Sequence, residues 1–85
     1  MNEIEWTPKA VRHFQKLPVD ARRSLGAGIS LLADWPKTQH VKKLSGRDEY
    51  RLRVGNFRVL FTVRPDGAVH IIRIEEVKRR NEHTY

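Results

Sequence analysis

The sequence contains no cysteine. Neither disulfides nor a thiolate metal site can therefore hold the chain together, a composition in keeping with a reducing cytosol. Also missing is an apolar run long enough for a signal peptide or a membrane span, and the opening residues, MNEIEWTPK, mix charged, polar and apolar types. No membrane partner is expected, and a cytoplasmic location is. No repeat, low-complexity tract or linker interrupts residues 1–85, which are read as a single domain. No two histidines or carboxylates stand at metal-ligand spacing, so neither a metal nor a cofactor is expected. At this length the chain buries only about two-thirds of its unfolded surface, and the core is small.

Acidic residues are scarce relative to basic ones. Seventeen Lys and Arg against ten Asp and Glu give a formal charge of +7 and a pI near 10.4. Such a balance suits a nucleic acid, or an acidic protein that covers the basic surface. Charge alone does not choose between them; position has to.

Asn2 to Trp6 alternates polar and apolar residues, which predicts a short strand with Ile4 and Trp6 inward. Thr7-Pro8 is a helix-start signal, a capping hydroxyl followed by proline at the first helical position. Ala10, Val11, Phe14 and Leu17 follow at helical spacing. After Pro18 a second helix is predicted to about Ala33, with Ala21, Leu25, Ile29 and Leu32 as its apolar stripe. Gly26 and Gly28 either permit close helix–helix contact or mark a bend. Trp35-Pro36 ends the helix, and the short connection makes the pair an antiparallel hairpin.

From Tyr50 the period falls to two. Tyr50, Leu52 and Val54 alternate with Arg51 and Arg53. Gly55-Asn56 then reads as a two-residue turn, and Phe57, Val59, Phe61 and Val63 alternate with Arg58, Leu60, Thr62 and Arg64. Pro65-Asp66-Gly67 turns the chain into a third strand, about Ala68 to Glu75. Its apolar residues fall on both faces, as in a central strand. Glu76 to Tyr85 is a polar tail, helix or loop. The expected fold is α+β, β-α-α-β-β-β with a short C-terminal segment: an antiparallel meander packed on a helical hairpin.

The turn fixes a register in which Val54 faces Phe57, Leu52 faces Val59 and Tyr50 faces Phe61. Arg53 then sits across from Arg58, with Arg51 two residues along. Like charges in such a pair destabilise a sheet by about 0.2–1 kcal/mol. An anion seated among them would remove that penalty, because arginine's planar fork suits phosphate. The alternative is a solvated face, or arginines paired with Glu49 or Glu75.

Val41-Lys42-Lys43-Leu44-Ser45-Gly46, followed by Tyr50-Arg51-Leu52-Arg53-Val54-Gly55-Asn56-Phe57-Arg58-Val59-Leu60-Phe61, closely resembles the signature of RelE/ParE toxins. The ending, with Lys78-Arg79-Arg80 and Tyr85, is similar to the basic, tyrosine-ended tail of the RelE-like, RNA-cleaving branch. ParE-type members share the central block but inhibit DNA gyrase without being enzymes. The resemblance implies a type II toxin: a ribosome-dependent, metal-independent endoribonuclease (an mRNA interferase) that inhibits translation. The ribose 2′-OH would attack the adjacent phosphate. Implied partners are mRNA, the ribosome with its rRNA, and a cognate acidic antitoxin.

Carried over by position, Arg51 and Arg53 match two basic strand positions. Arg58 matches the phosphate-stabilising arginine, Arg79 the residue that protonates the leaving group (with Arg80 beside it), and Tyr85 the tyrosine that stacks on a base. Arginine at 51 departs from the family's lysine and does not deprotonate, so a proton acceptor must come from elsewhere. His83 is the candidate, with Glu82 and Glu76 behind it. Lys42, Lys43 and Arg47 are candidate RNA contacts through phosphates, alongside Arg80. His13 and His40 read as ordinary surface positions, His70 lies on a strand with its facing open, and Trp6 and Trp35 read as packing residues. A third reading is a basic binding module without activity.

Overall fold

The computed structural model describes residues 2–46 and 48–79. Strand β1 (Glu3–Trp6) gives way to helix α1 (Pro8–Gln15) at Thr7. The Thr7 hydroxyl accepts from the Ala10 N–H at 3.0 Å and donates to the Glu75 carbonyl at 3.1 Å. One buried side chain thus caps the helix and ties it to the far end of the chain. Helix α2 (Val19–Ser30) tightens into a 3-10 turn at Leu31–Asp34, and Trp35 is extended ahead of Pro36. Strands β2 (Val41–Lys43), β3 (Glu49–Val54), β4 (Phe57–Asp66) and β5 (Val69–Arg79) follow.

The strands form one sheet in the order β1-β5-β4-β3-β2. β1 runs parallel to β5; every other pairing is antiparallel. The fold is α+β as expected, with one more strand than the pattern predicts. β2 has only three residues, Val-Lys-Lys, too few to show a period. Glu76 to Arg79, expected in the tail, continue β5 as strand.

One sheet face holds the core. Leu52, Val59, Phe61, Ile72, Ile74 and Val77 meet Ala10 of α1, Leu25 and Ile29 of α2, and Leu32 of the 3-10 turn. Burying each large apolar side chain stabilises the fold by roughly 1.5–3 kcal/mol. Helix α1 lies against β5 and α2 against β3. Gly28 has a packing reason: a Cβ there would lie 2.7 Å from Val54 Cγ2. The close approach is between helix and sheet, rather than the helix–helix contact or bend considered from sequence.

Trp6 and Trp35 pack as expected. Trp6 meets Phe14 edge-on at 5.1 Å, and Trp35 meets Tyr50 and His70 at 5.6 and 5.4 Å. His70 therefore faces the helices.

A β-bulge governs the last strand. Leu60 pairs with Glu76 but Phe61 with Ile74, leaving Glu75 as the extra residue. The bulge inverts the alternation, so Ile72 and Ile74 before it and Val77 after it share the core face. Past the end of β1, the Val77 N–H donates to His13 Nδ1 at 3.4 Å. His13, expected to be an ordinary surface residue, is a half-buried link between α1 and β5.

Candidate nucleic-acid interface

The second face of the sheet has no covering helix among the described residues. Its central hairpin has the register that Gly55-Asn56 demands: Val54 faces Phe57, Arg53 faces Arg58, Leu52 faces Val59 and Tyr50 faces Phe61. Gly55 takes φ +55, a conformation that favours glycine. On the open face the rows extend across neighbouring strands. Arg53, Arg58 and Lys78 form one row; Lys42, Arg51, Leu60 and Glu76 form the next. Arg51 and Arg58 are half-buried and Arg53 is exposed.

Charge in this patch is not internally balanced. Among the described residues no carboxylate forms an ion pair with Arg51, Arg53 or Arg58, and the Nε atoms of Arg51 and Arg58 are buried without a hydrogen-bond partner. Glu75, one of the two intramolecular partners considered from sequence, is engaged elsewhere: its Oε2 lies 3.5 Å from Arg73 Nε and accepts from the Thr62 hydroxyl at 2.9 Å. Glu5 pairs with Arg64 at 3.4 Å.

Glu76 bridges Lys9 and Lys78. The hydrogen bond from Lys9, helped by the charge of Lys78, holds the Glu76 carboxyl below its ordinary value against the opposing effect of burial. A carboxylate so stabilised is a poor proton acceptor, which weakens its candidacy as a base.

The expected site residues separate into three groups. Arg51, Arg53 and Arg58 share the open face, and Lys42 joins them opposite Arg51. Lys43 and Arg79 lie on the other face, in register with Tyr50 and Phe57. The Arg79 guanidinium rests 5.2 Å from the Phe57 ring centre. Arg47, Arg80, Glu82, His83 and Tyr85 lie outside the described residues. Sequence reasoning missed Lys78, which stands opposite Arg58 because of the bulge; no one-residue insertion can be read from residue types alone.

The arrangement, a helical pair on one face of a mixed five-stranded sheet and an arginine-lined hairpin on the other, is the fold of RelE toxins. The isolated E. coli RelE toxin superposes with a TM-score of 0.79 at 16% identity, covering 99% of this chain and 89% of that one. The archaeal RelE–RelB complex from Pyrococcus horikoshii gives 0.77 at 26% identity, covering 95% and 97%. A RelBE toxin–antitoxin complex from Mycobacterium tuberculosis gives 0.77 at 22%, covering 93% and 98%. No curated protein matches the sequence. The family model of the ParE toxin of type II toxin–antitoxin systems (parDE) matches residues 4–80, and the chain belongs to that family, within the RelE/ParE superfamily.

Proposed function

We propose that this toxin is an endoribonuclease that cuts mRNA on the ribosome and so stops translation. The observation that carries the reading is the trio Arg51, Arg53 and Arg58 on the open sheet face, which no carboxylate among the described residues neutralises. Phosphodiester cleavage by the neighbouring 2′-OH needs cations where charge develops on phosphorus oxygens, and preorganised donors there are worth several kcal/mol. Buried guanidinium nitrogens without partners have hydrogen bonds to give. RNA supplies its own nucleophile. Arg58 stabilises the pentacoordinate phosphorus, while Arg51, Arg53 and Lys42 hold the flanking backbone. Arg80, His83 and Tyr85 complete the site in this reading, with Tyr85 stacking on a base, whereas Arg79, on the other sheet face against Phe57, has no part in it. Arg47 and Lys43 serve as outer contacts to rRNA or mRNA phosphates. The neighbours solved with RelB antitoxins support an acidic antitoxin as the partner that silences the toxin.

The match to the ParE model favours a second reading, inhibition of DNA gyrase without catalysis. One experiment separates the two. Toxin added to programmed ribosomes, followed by primer extension, gives discrete cuts under the first reading, and these vanish in Arg58→Ala. Intact mRNA with trapped gyrase–DNA cleavage complexes establishes the second.

A further inference from the structure

Three guanidinium groups can bind and stabilise a phosphate, but none can take a proton from a ribose hydroxyl at neutral pH. Among the described residues, the cationic face contains one side chain type suited to that task. A concavity of about 200 Å³ at the outer edge of the sheet is lined by His40, Val41, Lys42, Arg51 and Arg53. Of these, only His40 belongs to a residue type that ordinarily exchanges a proton near neutrality.

The backbone at His40 is held in an uncommon conformation. Its φ is +62, and it is the one non-glycine residue with positive φ among those described. Asn, Asp and His are the side chains most often found there. Its carbonyl accepts the Arg53 N–H at 3.0 Å. The histidine is thereby tied through one hydrogen bond to the strand that carries two of the arginines. Conformations of this kind concentrate where the surroundings enforce them, functional sites among them. Lys42, Arg51 and Arg53 line the concavity with His40, and Lys37 and Asp34 line with it a larger cleft that also takes in Arg53.

We propose that His40 is the proton acceptor of the cleavage reaction, a role that rests on the ribonuclease reading above. Its neutral imidazole takes the proton of the ribose 2′-OH. The 2′-oxygen bonds to phosphorus, the bond from phosphorus to the 5′-oxygen breaks, and that oxygen takes a proton from water. The products are a 2′,3′-cyclic phosphate and a 5′-hydroxyl, and the imidazolium returns its proton to solvent. Arg51 and Arg53, lining the concavity, hold the flanking backbone so that the ribose lies at the histidine while its phosphate reaches Arg58. The exposed imidazole of His40 is left for the hydroxyl.

Single-turnover cleavage on programmed ribosomes tests this across a pH series. His40→Asn and His40→Gly both accept positive φ, so neither strains the turn. Removal of a general base is expected to slow cleavage about 100-fold or more. Wild-type activity falls on acidification, and both variants lose that limb of the profile. Added imidazole restores part of the activity of His40→Gly. Cleavage by His40→Asn within about threefold of wild type overturns the assignment, as does a slow variant that keeps the acid limb and gains nothing from imidazole. If wild type itself cuts no RNA, the ribonuclease reading falls and takes this proposal with it. If wild type cuts and His40→Asn matches it, the proposal alone falls.

Discussion

The open face of the sheet has two ends that differ in how they treat their cations. Around Thr62, every arginine has a carboxylate: Arg64 has Glu5, and Arg73 has Glu75, which Thr62 also holds. Around the Gly55-Asn56 turn, Arg51, Arg53 and Arg58 have none among the described residues, and two of their Nε atoms are buried without partners there. Same sheet, same solvent, same residue type: the difference lies in where the acidic residues are placed. Like charges set across a strand pair reduce stability. Under the proposed function, the end left without carboxylates is the one that receives the anion from outside.

The largest expected effect breaks the symmetry outright. Arg58→Ala lowers mRNA cleavage on ribosomes by about 100- to 1,000-fold without lowering thermal stability, whereas Arg64→Ala leaves cleavage unchanged. Equal losses in the two variants, read by primer extension, would erase the distinction between the ends. Next, Thr62→Val removes the hydrogen bond to Glu75 and lowers the unfolding free energy by about 1 kcal/mol in urea titrations, with activity intact. Arg53→Glu makes the basic end resemble the neutralised one. Facing Arg58, the new carboxylate raises stability by about 0.5 kcal/mol while cleavage drops to background.

The smallest effect lies at the seam. The folded-state pKa of Glu76 is depressed, so its stabilising contribution is present above its ordinary value of 4.5 and disappears as pH falls through the lower folded value. Glu76→Gln therefore costs about 0.5 kcal/mol at pH 7, because its lysine partners are half exposed. Melting curves of the two proteins converge as the solution is acidified. A difference that grows in acid would contradict the ion-pair assignment.

Much of this was legible in the residues. Strict alternation on both sides of Gly55-Asn56 determines which side chains share a face, so the register of the hairpin and the arginine trio follow from spacing. Thr7-Pro8 marks the helix start because capping chemistry is local. What escaped depends on distance along the chain or on insertion. β2 is recognisable only once Val41 and Lys42 are seen beside Leu52 and Arg51. The extra residue at Glu75 exchanges the facing of everything after it, so Lys78, and not Val77, stands opposite Arg58. His40 looked like any surface histidine, since nothing in its neighbours announces a positive φ.

The pairing of β1 with β5 bears on how the molecule is made. Glu3 to Trp6 are made well before their hydrogen-bonding partners, Ile71 to Ile74, which follow the helices and three other strands. Contacts so remote in sequence form late. A chain that lacks β5 therefore has no finished sheet on which to display its guanidinium groups.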